Sequence, residues 1–596
     1  MTISMQAGEA DAKFARDAWL RALAKTATIG ERGTTLPTLI DRLAGQFNAS
    51  PALISPEASM TYGQLGFRCN QYSRWALARD LSGGDAVALL MPNCAEYLAV
   101  WLGLTRVGVV VALINSQLGG DVLAHSINIA APRYLIVSAD LAPRVAAIRA
   151  RLPATLASRV FGSSAEFTSL EGEIAILPGD SLHPAEREPP AIDATALYIY
   201  TSGTTGLPKA AKVSHYRLMQ WSHWFAGLID VTPADRMYNC LPLYHSVGGV
   251  VAAGATLVGG GAVVLRERFS ASTFWQDLVA ERCTLFQYIG ELCRYLLNAP
   301  SRPEETQHLL RLACGNGLRA EVWAPFQERF RVPQILEYYA ATEGNFSLYN
   351  CEERAGSVGR IPPFLSHRVP VTLVKFDVEA ALPVRDAAGR CLRCAVNEVG
   401  EAIGQIMDDR GATRFEGYTD DAASGQKVLR DVFFAGDAWY RTGDLMRQDA
   451  QGFFYFVDRI GDTFRWKGEN VSTTEVAGVI AAVAGVTDVA VYGVTIPNAD
   501  GRAGMAAVVV TQDFELTKLR QALTSLPAYA RPVAVRILTA LEITGTFKLR
   551  KQDLVREGLD PARVTDPLFL DHPAQQQYVL LDAPLYGQLQ AGALRL

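Results

Sequence analysis

The sequence predicts a large, multi-layered α/β domain followed by a small α+β domain, and three observations carry that prediction. At 596 residues the chain is too long for one ordinary core and can bury several. Through most of its length, apolar strand-like runs alternate with helical patterns, as buried parallel strands covered by helices require. The style then changes near Asp458 to Gly461, beyond which short strand candidates sit among helical stretches. The domains are therefore expected to be residues 1–460 and 461–596.

Taken in order, the opening segment places Phe14, Trp19, Leu20 and Leu23 among Lys13, Arg16, Arg21 and Lys25. That pattern predicts an amphipathic helix docked on its own domain, with a membrane-surface helix as the alternative. DAVALL (85–90) precedes the helical AEYLAVWLGLTRV (95–107), RYLIVSA (133–139) precedes LAPRVAAIRARL (141–152), and ALYIY (196–200) precedes a long segment from Ser214. Val247 to Leu265 is uncharged and near the length of a membrane span, yet six of its residues are glycine. Each glycine costs a helix roughly 1 kcal/mol relative to alanine, so a buried helix, turn and strand is expected instead. Past the boundary, DVAVYGV (488–494) and GMAAVVV (504–510) are the strand candidates. No repeat or low-complexity tract interrupts the chain.

Charge excludes one class of function: 56 basic against 61 acidic residues leave a net charge of -5, and no polycationic surface argues for nucleic acid. Nine cysteines without framework spacing fit a reducing, cytoplasmic location, as does an amino terminus lacking a basic segment before an apolar core. Cys391 and Cys394 form a lone CxxC with no second pair or nearby histidine, so neither zinc nor redox chemistry is expected there.

The chemistry concentrates in TSGTTGLPK, residues 201–209. ALYIY delivers the chain to a loop in which Gly203 and Gly206 permit positive φ and close approach of backbone N–H groups to an anion. Thr201, Ser202, Thr204 and Thr205 add hydroxyls, and Lys209 adds a cation. The set suits several phosphate oxygens at once. It is not the Walker loop, because Leu207 and Pro208 precede the lysine and no Ser or Thr follows it.

This loop resembles the phosphate loop of the adenylate-forming superfamily, which contains acyl-CoA synthetases, luciferases and peptide-synthetase adenylation domains. The longer string YIYTSGTTGLPKAAKVSHYR resembles more narrowly the fatty acid transport protein branch, the very-long-chain acyl-CoA synthetases. LPLYHSVGG, FQYIGELCRYLL, RLACGNGLR, ILEYYAATEGN, DRIGDTFRWKGENVSTTEV and ITGTFKLRK continue the likeness in order, over roughly residues 50–596. The large domain is then expected to be of the acyl-CoA synthetase type and the small one mobile.

The resemblance assigns roles residue by residue. In EYYAATEG it puts Tyr339 against adenine, with Tyr338 beside it or in the core, Thr342 at the α-phosphate and Glu343 on magnesium, where a hard dication wants a carboxylate. Asp444 in YRTGDL is implied to accept the ribose hydroxyls, and Arg459 to reach ribose or phosphates. Gly315 and Asn316 in GNGLR would line the adenine and acyl sites, and His245 in LPLYHSVGG the junction of acyl and thiol sites. Lys548 matches the lysine of the adenylation step, Gly461 the hinge, and Gly468 a passage for the pantetheine arm of coenzyme A.

The expected activity is ATP- and Mg²⁺-dependent joining of a long or very long fatty acid to coenzyme A through an acyl-adenylate. An acyl-AMP ligase loading a carrier protein, and an uptake protein that couples import to activation, are the alternatives. Peripheral association with the inner face of a membrane and homodimerisation stay open. Gly248, Gly249 and Gly254 either leave room for an alkyl chain or let helices pack closely.

Overall fold

The structure, a computed structural model, describes residues 2–30, 33–201, 207–407, 413–497, 499, 501–542 and 549–596, with side chains from residue 13 onward. They divide into two compact units, residues 1–369 with 405–429 and residues 370–404 with 430–596.

The first unit is built on two sheets. A seven-stranded sheet runs Thr168–Ser169, Ala157–Phe161, Tyr134–Ser138, Ala86–Leu90, Val110–Leu113, Thr195–Thr201, Lys209–Ser214 across its width. All its pairings are parallel except the last, an antiparallel hairpin. An eight-stranded sheet has parallel strands from Ile335–Ala340 through Pro51–Ile54 and one antiparallel strand at each edge. The central strand Ala86–Leu90 is buried along its whole length, which explains why it reads as a continuous apolar run rather than an alternating one. Trp75, Trp101, Tyr62 and Tyr97 fill the main core beside it.

The amino-terminal helix Thr2–Thr26 docks on the helix His215–Leu228 of the same unit. Ala15, Ala18, Trp19 and Ala22 make its buried face, and Trp19 meets Trp224 and Tyr349 edge to face at 5.8 and 5.5 Å. A methyl group on Gly227 would come within 2.5 Å of Ala22 Cα, so the crossing depends on a glycine. Leu20, read from sequence as part of the apolar face, is instead exposed, one position past Trp19 on the turn.

Val247 to Leu265 folds as a buried π-helical turn, the helix Ala253–Val258 and the strand Ala262–Leu265. Among the described residues no helix is long and apolar enough to cross a membrane. Added Cβ atoms on Gly248, Gly249 and Gly254 would lie 2.5, 2.2 and 2.4 Å from Pro242 O, Leu243 O and Ser222 Oγ. These glycines serve close packing.

The second unit places in one sheet the antiparallel pair Val371–Asp377 with Val399–Gln405 and the antiparallel pair Ala438–Gln448 with Phe454–Arg459, and adds a five-stranded mixed sheet from Val486–Val494 to Gln577–Leu580. Helix Thr473–Ala481 packs on that second sheet around Val476 and Ile480. This is the α+β pattern anticipated beyond residue 460, although residues 370–404 and 430–460 group with it. A local reason is visible: the Asp458 carboxylate accepts from Thr473 N at 2.6 Å and from Thr473 Oγ1 at 3.1 Å, and Ser472 Oγ donates to Val457 O at 2.9 Å. Cys391 and Cys394 are free; burial pushes both thiols up, Cys394 to about 11, and no metal-holding group of His, Cys, Asp or Glu occurs among the described residues.

Candidate active site

Thr201 ends the strand Thr195–Thr201 and pairs across the hairpin with Lys209, so the loop between them leaves the carboxyl end of a strand whose other neighbour is parallel. Open α/β sheets bind ligands at that end. Ser202, Gly203, Thr204, Thr205 and Gly206 lie outside the described residues. Lys209 Nζ sits 5.8 Å from the centroid of the Tyr418 ring.

Thr342 and Glu343 follow the strand Ile335–Ala340 of the other sheet in the same unit. Strand alternation separates the two tyrosines. Tyr338 is enclosed in the core, edge to face with Phe225 at 4.7 Å, so packing rather than nucleotide contact accounts for its ring. Tyr339 is half-buried near Phe346. Thr342 is buried, with its hydroxyl 3.0 Å from Ser246 Oγ and its carbonyl accepting from Arg217 Nη1 at 3.2 Å.

Glu343 Oε1 accepts from the Tyr418 hydroxyl at 2.9 Å, with Lys427 Nζ 3.9 Å away. Burial, then the Glu343 charge, push the Tyr418 phenol above its ordinary range, so it remains a donor, and it also exchanges a hydrogen bond with Thr201. Residues around Tyr418 add a short strand to the phosphate-loop hairpin: Lys212 N donates to Gly417 O and Thr419 N to Ala210 O, both at 2.9 Å. A buried ion pair anchors this segment. Glu416 accepts from Ser214 N and Oγ at 2.7 and 2.5 Å and faces Arg217 Nε at 3.7 Å, while Arg217 Nη2 donates to Arg414 O at 2.8 Å.

Sequence reasoning missed Tyr418, Glu416, Arg217 and Lys427. RFEGYTDD carries no spacing signal for phosphate chemistry, and Tyr418 meets Glu343 only through the fold, 75 residues apart.

It also missed Glu337, which is fully buried and holds the GNGLR segment by accepting from Gly317 N and Leu318 N at 2.5 and 3.2 Å, with Tyr288 Oη donating at 2.6 Å. Gly317 has φ +80, a conformation that favours glycine. Gly315 answers to its neighbour strand, since a Cβ there would lie 2.3 Å from the Tyr288 ring. Asn316 Oδ1 is buried without a hydrogen-bond partner among the described residues, an acceptor suited to an amine donor. Burial raises the Glu337 carboxyl from 4.5 to about 8 against the pull of its three donors. The folded chain thus keeps a proton that the unfolded chain releases. Its stability should fall as pH rises through that window, by up to about 1.4 kcal/mol per pH unit from this group. Urea midpoints across the same range should flatten in Glu337→Gln; an unchanged slope would contradict the shift.

In the second unit, Asp444 and Arg459 are cross-strand partners with Arg459 Nε 3.7 Å from Asp444 Oδ1. Gly461 follows in a turn with φ +100 and open space where a Cβ would stand. Gly468, φ +83, and Lys467, φ +51, form the two-residue turn of the hairpin Phe464–Trp466 to Glu469–Val471, where paired positive φ values mark a type I′ geometry. His245 is half-buried, and its Nδ1 accepts from Val247 N at 3.3 Å. Lys548 lies outside the described residues.

The donor set fits magnesium used with a nucleotide. Among the described residues no protein-only cage exists, and one carboxylate beside a hydroxyl suits an ion that keeps waters and phosphate oxygens.

A hairpin lysine, threonine hydroxyls and the Tyr418-bound carboxylate of Glu343 stand at strand ends of one unit, an arrangement suited to a nucleotide-using enzyme. The family model of the AMP-binding enzymes matches residues 40–383, and that of their C-terminal domain matches residues 475–548. The chain belongs to the AMP-binding enzyme family. Within it, the chain is 40% identical over 575 residues to mouse long-chain fatty acid transport protein 1, covering 94% of this chain and 88% of that one. It is 41% identical over 557 residues to human long-chain fatty acid transport protein 5, covering 90% and 80%. The chain is thereby a member of the long-chain fatty acid transport protein family. Its fold is shared with the anthranilate CoA ligase AuaEII in complex with anthranoyl-AMP, at TM-score 0.75 and 22% identity over 87% of this chain and 96% of that one.

Proposed function

We propose that the protein is an ATP-dependent acyl-CoA ligase for long or very long fatty acids. The observation that carries the reading is the meeting of Lys209, Thr201, Tyr418 and Glu343 in one unit of a chain that belongs to this family. In the first half-reaction a carboxylate oxygen attacks the α-phosphorus of ATP and pyrophosphate leaves. Lys209, Lys548 and the loop amides stabilise the charge that develops on the phosphate oxygens. Thr342 contacts the α-phosphate, Glu343 holds Mg²⁺ with Thr342 beside it, and Asp444 and Arg459 take the ribose. Bound Mg²⁺ supplies charge neutralisation at the phosphates. Asn316 Oδ1 accepts from the adenine amine, and Tyr339 lies against the ring. In the second half-reaction the coenzyme A sulfur attacks the acyl carbonyl carbon, loses its proton, and AMP departs, with His245 near the junction and Gly468 beside the pantetheine arm. Rotation of residues 461–596 about Gly461 exchanges the two steps.

The relatives' names favour uptake as the physiological setting, since making a CoA ester traps a fatty acid inside a cell; peripheral membrane association belongs to the same reading. The test is release of pyrophosphate and thioester by purified protein with ATP, magnesium, coenzyme A and a panel of carboxylates. Long-chain turnover yielding both products is expected. Pyrophosphate without thioester would point to a carrier-protein acceptor, and silence across the panel would overturn the substrate.

A further inference from the structure

We infer that Tyr418 is a positioning residue of the adenylation site, setting the metal-binding carboxylate and the phosphate-loop lysine relative to each other through one side chain. The inference rests on the reading of Glu343 as the magnesium ligand. Tyr418 is 3% exposed, its hydroxyl donates to Glu343 Oε1 at 2.9 Å, and its ring lies under Lys209 Nζ at 5.8 Å. The two groups it touches come from different sheets, Lys209 from the hairpin beside Thr195–Thr201 and Glu343 from the turn after Ile335–Ala340.

A carboxylate held by one hydrogen bond from a rigid donor keeps its remaining lone pairs set for a hard cation, whereas a free glutamate samples several rotamers. A cation over an aromatic face is likewise restrained laterally without losing its hydrogen-bond donors. Tyr418 itself is fixed from behind. Its backbone N donates to Ser424 Oγ at 2.8 Å, its flanking residues pair with the strand Lys209–Ser214, and Glu416 is clamped by Ser214 and Arg217. Arg217 closes the circuit by donating to Thr342 O, one residue before Glu343. The hydroxyl of Tyr418 is thus the end of a braced structure rather than a loose surface group.

Two variants separate its two contacts: Tyr418→Phe removes the hydroxyl and keeps the ring, and Tyr418→Leu removes both. Metal binding is read directly, by electron paramagnetic resonance titration of Mn²⁺ in the presence of a non-hydrolysable ATP analogue, alongside the Mg²⁺ dependence of ATP–pyrophosphate exchange. Tyr418→Phe should weaken Mn²⁺ binding and raise the Mg²⁺ half-saturation about tenfold, the scale of losing a hydrogen bond to a charged group. The apparent KM for ATP should rise further only in Tyr418→Leu. Glu343→Gln is the reference. If Glu343→Gln shifts both metal titrations and Tyr418→Phe leaves them unchanged or tighter, the positioning role is wrong while the ligand reading stands. If Glu343→Gln shifts neither, the ligand reading itself fails, and the inference with it. A purely structural Tyr418 would lower thermal stability in Tyr418→Phe without moving the metal titrations, and that result also overturns the proposal.

Discussion

Replacing Lys548 with alanine should lower acyl-adenylate formation by about 10²–10³-fold, the usual effect of deleting one preorganised donor at a developing charge. Thioester formation from supplied acyl-adenylate should stay near the wild-type rate. The asymmetry follows from the proposed role, in which Lys548 stabilises charge on the phosphate oxygens while pyrophosphate leaves and takes no part in the attack of the thiol. ITGTFKLRK holds a second lysine that serves as an internal control. Lys551 Nζ lies 3.2 Å from Thr473 Oγ1 and 3.5 Å from Asp462 Oδ2, contacts that commit it to the packing of its own unit. Lys551→Ala should therefore spare the adenylation half-reaction. Pyrophosphate exchange and single-turnover thioester assays report the two steps separately. Equal loss of both steps in Lys548→Ala, or an equal adenylation defect in Lys551→Ala, would remove the assignment.

Much of the architecture was legible because burial leaves a direct imprint on composition. The continuous apolar run of Ala86–Leu90 reads as a strand covered on both faces, and the glycine-rich stretch after Val247 reads as a buried helix, turn and strand, whereas the choice between alkyl room and close packing at its glycines was settled only by the fold. The hairpin turn at Lys467 and Gly468, with its paired positive φ, was not read from the sequence, where Gly468 stood only as a passage for the pantetheine arm. What stayed hidden was through-space chemistry. Tyr418 meets Glu343, and Arg217 meets Glu416, across stretches of chain far longer than any motif. Glu337 stood inside a quoted motif, yet an acidic residue in a strand normally signals a solvated face; its three donors exist only once Gly317, Leu318 and Tyr288 are folded around it. Tyr338 and Tyr339 look alike in sequence, and the strand's two-residue period sends one of them into the core.

Gly461→Pro should cut overall acyl-CoA formation at least about a hundredfold while one half-reaction, adenylation, survives, because proline fixes φ near −65°. The wild-type turn stands at φ +100, so the variant can neither hold that conformation nor move between two. Space is not the issue, since a Cβ at Gly461 would meet nothing within 4 Å. Gly461→Ala therefore isolates conformational strain, about 1–2 kcal/mol, and should cost far less than proline. A rotation about this turn would have to break the hydrogen bonds that flank it. Asp458, three residues before the glycine, is tied to Thr473, twelve residues after it, by two hydrogen bonds, and Ser472 is tied to Val457. Burial raises the Asp458 carboxyl, so this link sits in a dry environment where it resists casual opening. On the proposed hinge role, a change of φ at Gly461 and the yielding of this link would have to occur together between attack at the α-phosphorus and attack at the acyl carbon. Full turnover in Gly461→Pro would remove the hinge. Loss of both half-reactions in a folded Gly461→Pro protein would show the turn to be structural only.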